Sequence, residues 1–302
     1  MTDNIKAALL MMGALAMLAL NDTAIKTMAL TIPLFQIIVL RNGVTTLALG
    51  FSILRAGRWP RLSRRDLGLS LLRGVGEVGA AYFYLVALVA MPFANIVAIL
   101  QAAPLVVTLA AALFLREPVG WRRLSAIIVG FVGVLLIVRP GTEGFDTFAL
   151  YALISVGFVT LRDLATRRLS PDAPAMTVTA ITSAMVLVFF ILLGLNDPWV
   201  PMNARSILLT LVAAAFVLGS YVTTINAMRI GEISFVSPFR YTSLLWALLL
   251  GFVLFGEWPQ TLTLVGAAIV VASGLFTIYR ERKTGRMPQT GPEEIQALES
   301  RP

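Results

Sequence analysis

Arg41, Arg73, Glu77 and Arg240 stand well inside long apolar runs. A charge near the centre of a membrane helix costs at least ~2.5–3.5 kcal/mol, so each requires a partner or a task. Arg73 and Glu77 are four residues apart and share one helical face, which Tyr84 continues. An internal ion pair or a helix–helix staple is the plain reading. The functional reading is a titratable Glu77 available for proton coupling or for a substrate amine. Arg41, with Thr45 on its face, partners Glu77 or backbone carbonyls. Arg240, flanked by Ser237 and Ser243, has no acid on its own helix. Three arginines against one glutamate leave two positive charges uncompensated. A substrate carboxylate or phosphate would balance them, since Arg grips such groups in a bidentate manner. Asp22 and Asp163, nearer helix ends, change that sum if they turn inward. Gln101, Tyr82, Tyr84, Tyr221, Tyr241 and Trp246 complete the polar and aromatic candidates, with interhelical packing or lipid contact as the alternative for the aromatics.

Ten apolar spans must position these groups: 5–25, 33–54, 67–90, 93–115, 121–138, 146–166, 174–194, 204–227, 232–255 and 261–279. Each suits a helix of ~20 residues crossing a ~30 Å hydrocarbon core. The chain is 58% hydrophobic and 13% charged, with mean hydropathy +0.85. A soluble domain would carry about twice that charge fraction. The surroundings are therefore a lipid bilayer. Lys6 before an apolar stretch with Ala14-Leu15-Ala16 imitates a signal peptide. The segment has a counterpart in the second half, so it belongs to the fold. The 281–302 segment reads as a disordered cytoplasmic tail.

Net charge of +8 could suggest nucleic acid, but the basic residues sit in short loops between spans. Eighteen lie on one side, among them Arg55, Arg64, Arg65, Arg122, Arg123, Arg162 and Arg167. Lys26, Arg139 and Arg205 lie on the other. This bias places both termini in the cytoplasm of a cell with the chain in its inner membrane, and requires an even number of spans. With no His and no Cys, His/Cys metal sites, His bases and thiol nucleophiles are absent, and no cofactor is implied.

The chain also repeats. Asn21-Asp22-Thr23-Ala24-Ile25-Lys26, closing at Pro33, aligns with Arg162-Asp163-Leu164-Ala165-Thr166-Arg167, closing at Pro174. Ala87 to Glu117 aligns with Ala227 to Glu257. Each half (1–140 and 141–280) holds five spans, so the second enters the membrane upside down, a construction of transporters. The fold class is all-α integral membrane, with ten helices as two inverted five-helix repeats. The fifth and tenth spans carry no interior charge. Their Gly130, Gly133, Gly266 and Gly274 suit close packing or a dimer contact, so a monomer and a homodimer both stay open.

Ala87-Leu88 through Ala94, Pro104 and Leu115-Arg116-Glu117-Pro118, with Ala227-Met228-Arg229 through Ser234, Pro238 and Phe255-Gly256-Glu257, resembles the EamA-type branch of the drug/metabolite transporter superfamily. So does Asn21-Asp22 with Lys26, Pro33 and Arg41. Residues 5–280 are covered. The second copy has Leu244 where the first has Pro104, so a helix break there differs between halves. The resemblance implies a central cavity lined by spans 1–4 and 6–9, and transport of small metabolites by members similar to bacterial (aromatic) amino-acid exporters.

The leading expectation is an exporter of amino acids working by alternating access, with Gly74, Gly76, Gly79, Gly219, Pro104 and Pro238 as flexing points. A carrier of phosphorylated, nucleotide-like or vitamin-like compounds, or a broad efflux protein, is the alternative. No catalytic cluster supports a membrane enzyme, and a receptor would not explain the inverted duplication. The expected substrate-binding residues are Arg240, Arg41, Glu77, Tyr84, Gln101, Tyr82, Ser237, Tyr241 and Trp246.

Overall fold

Pro33, Pro92 and Pro174 each stand immediately before a helix, where a missing N–H goes unneeded. Asn203 opens another helix, its Oδ1 accepting from Ser206 N at 2.9 Å. The computed structural model describes residues 3–55, 62–114, 120–140, 146–170 and 172–283. They form α1 (Asp3–Met28), α2 (Leu34–Arg55), α3 (Arg64–Ala90), α4 (Phe93–Leu100), α5 (Ala103–Phe114) and α6 (Trp121–Val138). The second half forms α7 (Phe148–Arg167), α8 (Ala175–Leu193), α9 (Ala204–Ile230), α10 (Ile233–Val236), a 3-10 turn (Ser237–Tyr241), α11 (Thr242–Phe255) and α12 (Thr261–Lys283). Among the described residues there is no strand, and ten helical spans are long and apolar enough to cross a membrane.

The fourth span is α4 plus α5. Pro104 has no N–H to donate to Leu100 four residues back, so α4 stops there and the chain turns at Gln101–Ala102. The ninth span winds as a 3-10 helix over Ser237–Tyr241 before α11 resumes. The two halves are thus interrupted at corresponding depths by different windings. Helix α12 runs to Lys283, so the first three residues of the expected tail are helical. Residues 284–302, and the 115–119 turn with Glu117 and Pro118, lie outside the described residues.

Helix α1 packs most extensively on α9, α3 on α7, α6 on α12 and α2 on α8. Exchanging the halves turns α1–α9 into α7–α3 and returns α2–α8 and α6–α12 to themselves. This is the pairing that an inverted duplication about one in-plane axis would give. At the α6–α12 crossing a Cβ on Gly133 would meet the Gly266 carbonyl at 2.8 Å. These small residues are therefore used within the chain.

The end holding residue 3 and the opposite, distal end differ in closure. At the distal end Lys26 pairs with Glu257 at 2.8 Å and donates to the Met91 carbonyl. Glu257 also accepts from Phe93 N at 2.6 Å. Gly256, at φ 64, makes the left-handed turn that aims Glu257 back at α1. Gln36 and Val200 exchange two hydrogen bonds of 2.8 and 2.9 Å. Both contacts join the first half to the second. Phe93, Phe190, Ile37, Ile38, Leu88 and Ile96 fill this half and are fully buried.

Candidate functional site

The other half of the bundle holds a polar cavity. Its walls are Arg41, Asn42, Thr45 and Leu49 of α2, and Arg73, Glu77 and Ala81 of α3. Thr179, Thr182, Ser183 and Val186 of α8 and Val217 and Tyr221 of α9 complete it, around about 520 Å³ that includes the open mouth. The α8 residues recur at the i, i+3, i+4, i+7 spacing of one helix face. Ser183 holds that face against α2 through Thr46, 2.7 Å between hydroxyl oxygens.

Arg73 does not bond Glu77. Its Nε donates to Thr166 Oγ1 at 3.1 Å and its Nη1 to Thr182 Oγ1 at 2.6 Å. Glu77 is held instead by Arg162 of α7, 3.4 Å away. Gly76 makes that contact possible, since a Cβ there would lie 2.7 Å from the Arg162 backbone nitrogen. Arg162 also donates through Nε to Asp163 at 2.9 Å. The expected intrahelical pair and the Arg41–Glu77 pair give way to an interhelical one. At i, i+4 an Arg can also extend along its helix to a neighbour, and α7 presents a better-placed guanidinium. Arg162, counted above among the loop charges, lies inside α7.

Arg41 donates to Asn21 Oδ1 at 3.1 Å and to Asn42 Oδ1 at 2.8 Å, while its buried Nε has no partner. Asn21 donates to Asp22 at 2.9 Å, and Tyr84 donates to the same carboxylate at 2.6 Å. Asp22 is 7% exposed and stands behind the cavity wall. Charge therefore balances: Arg41, Arg73 and Arg162 against Asp22, Glu77 and Asp163. The expectation of two spare positive charges in one site does not hold, because both aspartates lie inside the helices α1 and α7.

Of the nine expected binding residues, only Arg41 and Glu77 line this cavity, with Tyr84 one residue behind it. Arg240 is exposed, outside the lining, and its guanidinium makes no hydrogen bond or ion pair among the described residues. The 3-10 winding advances ~120° per residue instead of 100°, so the face drawn through Ser237, Arg240 and Ser243 on α spacing does not carry over. Tyr241 is buried and packs over Gly274, and Ser237, four residues earlier, is half-buried. Trp246 donates to the Met12 carbonyl at 3.1 Å and pins α11 to α1. Tyr82 meets Phe83 and Phe189 edge-on. Gln101 sits at the α4–α5 turn, its Nε2 buried without a partner. Gly74, Gly76 and Gly79 are contact points under Met185, Arg162 and Phe158, not free hinges. Asn42 and the α8 stripe were missed. Thr179-Thr182-Ser183 in an otherwise apolar span was the available signal.

The EamA-like transporter family model matches this chain twice, over residues 5–139 and 146–279. The chain is 30% identical to a riboflavin transporter of Vibrio cholerae, over 74% of this chain and 76% of that one. It is 28% identical to an S-adenosylmethionine uptake transporter of Rickettsia felis, over 60% and 61%. It is 27% identical to a pseudopaline exporter of Pseudomonas aeruginosa, over 83% and 88%. A crystal structure of a protein shares the fold at TM-score 0.61 and 19% identity, over 92% of this chain and 98% of its own. With both halves matched and the cavity held between them, this chain is a multi-pass membrane protein belonging to the EamA-like transporter family.

Proposed function

We propose that the chain is a bacterial inner-membrane carrier of a small polar metabolite with no net negative charge, first of all a neutral, vitamin-like heteroaromatic compound. The charge balance of the six ionised groups around the cavity carries this reading. A phosphorylated substrate would bring about −1.5 to −2 charges into a site with none to spare. A neutral compound with many hydrogen-bonding groups meets Arg41, Asn42, the α8 hydroxyls and the Tyr221 ring at no such cost. The 30% identity to a riboflavin transporter agrees in kind.

An amino-acid zwitterion is the second reading. Arg73 and Glu77 both line the cavity and offer one charge of each sign, so carboxylate and ammonium meet opposite partners. Relatives bear names of uptake and of export proteins, so the fold serves both directions. Both termini lie in the cytoplasm on the loop charges, which makes the distal end the external one. The cavity then sits in the cytoplasmic half beneath a closed outer end. Rocking of the two halves exposes it to each side in turn.

Counterflow in proteoliposomes tests this. Vesicles are loaded with riboflavin, flavin mononucleotide, tryptophan or S-adenosylmethionine, and entry of the labelled compound is followed. Riboflavin is expected to exchange and flavin mononucleotide, which differs by one phosphate, is not. Tryptophan exchange without riboflavin moves the function to the second reading. Exchange of flavin mononucleotide overturns the charge argument.

A further inference from the structure

We infer that Asp22, rather than Glu77, is the proton-binding site that couples this carrier to a proton gradient, with Arg41 relaying its state to the cavity. The inference rests on the carrier reading above. The three acids of the cluster differ in one respect. Glu77 and Asp163 both touch the Arg162 guanidinium, at 3.4 and 2.9 Å. Asp22 is buried and is held by two neutral donors, the Tyr84 hydroxyl and the Asn21 amide. Among the described residues no cation forms an ion pair with it, and Arg41 reaches it only through Asn21. An ionised carboxylate in that position is the costliest of the three to keep, and protonation relieves it.

The hydrogen bonds survive the change. A hydroxyl donates or accepts. The incoming proton sits on Asp22 Oδ2 and is donated to the Tyr84 oxygen, whose own hydrogen rotates away. Asn21 donates to Oδ1 in both states and keeps its carbonyl on Arg41. What changes is charge. Ionised Asp22 leaves the cluster at zero, and protonated Asp22 leaves it at +1 beside Arg41, which lines the cavity. An acceptor or partial negative charge of the substrate on Arg41 then binds more tightly. By linkage the bound substrate holds the proton more tightly to the same degree, and the two move together.

Other titratable groups on elements packed against α1 do not replace this arrangement. Glu77 of α3 belongs to Arg162, and Tyr221 of α9 lines the cavity. Lys26 is paired with Glu257, and Arg205 is exposed at the distal start of α9. Arg240 and Tyr241 of the 3-10 turn are not among the hydrogen-bond partners of Asp22, and α10 and α11 contribute no titratable side chain.

The test does not depend on substrate identity. Infrared difference spectra of the full chain in bilayers, recorded against pH, report the carbonyl stretch of a protonated carboxyl group. The wild type is expected to show one such band that titrates with pH. It is expected to vanish in Asp22→Asn and to persist in Glu77→Gln. A band that survives Asp22→Asn, or is lost in Glu77→Gln, overturns the inference. Tyr84→Phe guards against misfolding of the first variant: its band should shift in frequency, and an unmoved band also overturns the inference. With any compound that exchanges in counterflow, apparent affinity should weaken by up to about tenfold per pH unit above the titration, and Asp22→Asn should flatten that slope. Failure of every compound to exchange would count against the carrier reading alone, since the infrared titration stands by itself.

Discussion

Asp22 and Asp163 occupy equivalent places in the two halves, but their neighbours differ by one residue. The residue before Asp163 is Arg162, and the residue before Asp22 is Asn21. Asp163 therefore has a countercharge at 2.9 Å, whereas Asp22 has an amide at the same distance. The asymmetry extends across the site. At the same offset of 141, Arg41 corresponds to Thr182 and Asn42 to Ser183. At 140, Glu77 corresponds to Val217 and Tyr84 to Thr224. The duplicated fold supplies two symmetric halves, and the first half carries most of the chemistry. The second contributes hydroxyls and the one guanidinium that fixes Glu77. Residues at corresponding positions of the two halves thus carry different chemistry around one cavity.

Removing Arg41 strikes the richer half hardest. Arg41→Ala leaves Asn21 and Asn42 without their donor and removes a guanidinium from the cavity wall. Losing one member of a buried charged network costs ~3–5 kcal/mol, so counterflow is expected to fall by at least about a hundredfold. Arg162→Asn makes the second half resemble the first. Glu77 and Asp163 lose their partner, and a second protonated-carboxyl band should appear in the infrared. With the pair only half-buried, melting should report a loss of about 2 kcal/mol, below the value for fully buried pairs. Gly76→Ala forces α3 off the Arg162 backbone and should cost ~1–3 kcal/mol by overpacking, read as a lower Tm. Thr182→Val removes the 2.6 Å acceptor of Arg73. A hydrogen bond to a charged group is worth ~1.5–3 kcal/mol, so the half-saturating substrate concentration should rise about tenfold. Arg240→Ala is expected to change exchange less than about twofold, since its guanidinium touches nothing in the cavity. A loss as large as that of Arg41→Ala would return Arg240 to the site and break the contrast.

Much of this was legible in the residues themselves. Length and apolar run fix ten crossings, because in a bilayer each backbone group must be satisfied internally and an apolar run of ~20 residues does so as a helix. Proline positions mark helix starts at 33, 92 and 174 and the break before Pro104, because a residue without an N–H can only stand where none is required. Arg41 and Glu77 announced themselves as charges in lipid. Arg162 did not: the expected span 146–166 takes it in near its end, where a charge is counted equally well with the loop. Helix α7 continues through it to Arg167 because α3 packs alongside and supplies Glu77. Arg240 was read on α-helical spacing, and the 3-10 turn puts its side chain on another face, outside the cavity lining.

The sequence by itself determined the number of spans, the duplication and the existence of buried charge, since these follow from local hydropathy, proline chemistry and the cost of a charge in hydrocarbon. Only the tertiary structure decided which charge meets which. Glu77 and Arg162 are 85 residues apart and Lys26 and Glu257 lie in different halves. Such partnerships are set by how helices cross, through a glycine at position 76 or a left-handed turn at 256, and no periodicity along one helix encodes the azimuth of its neighbour.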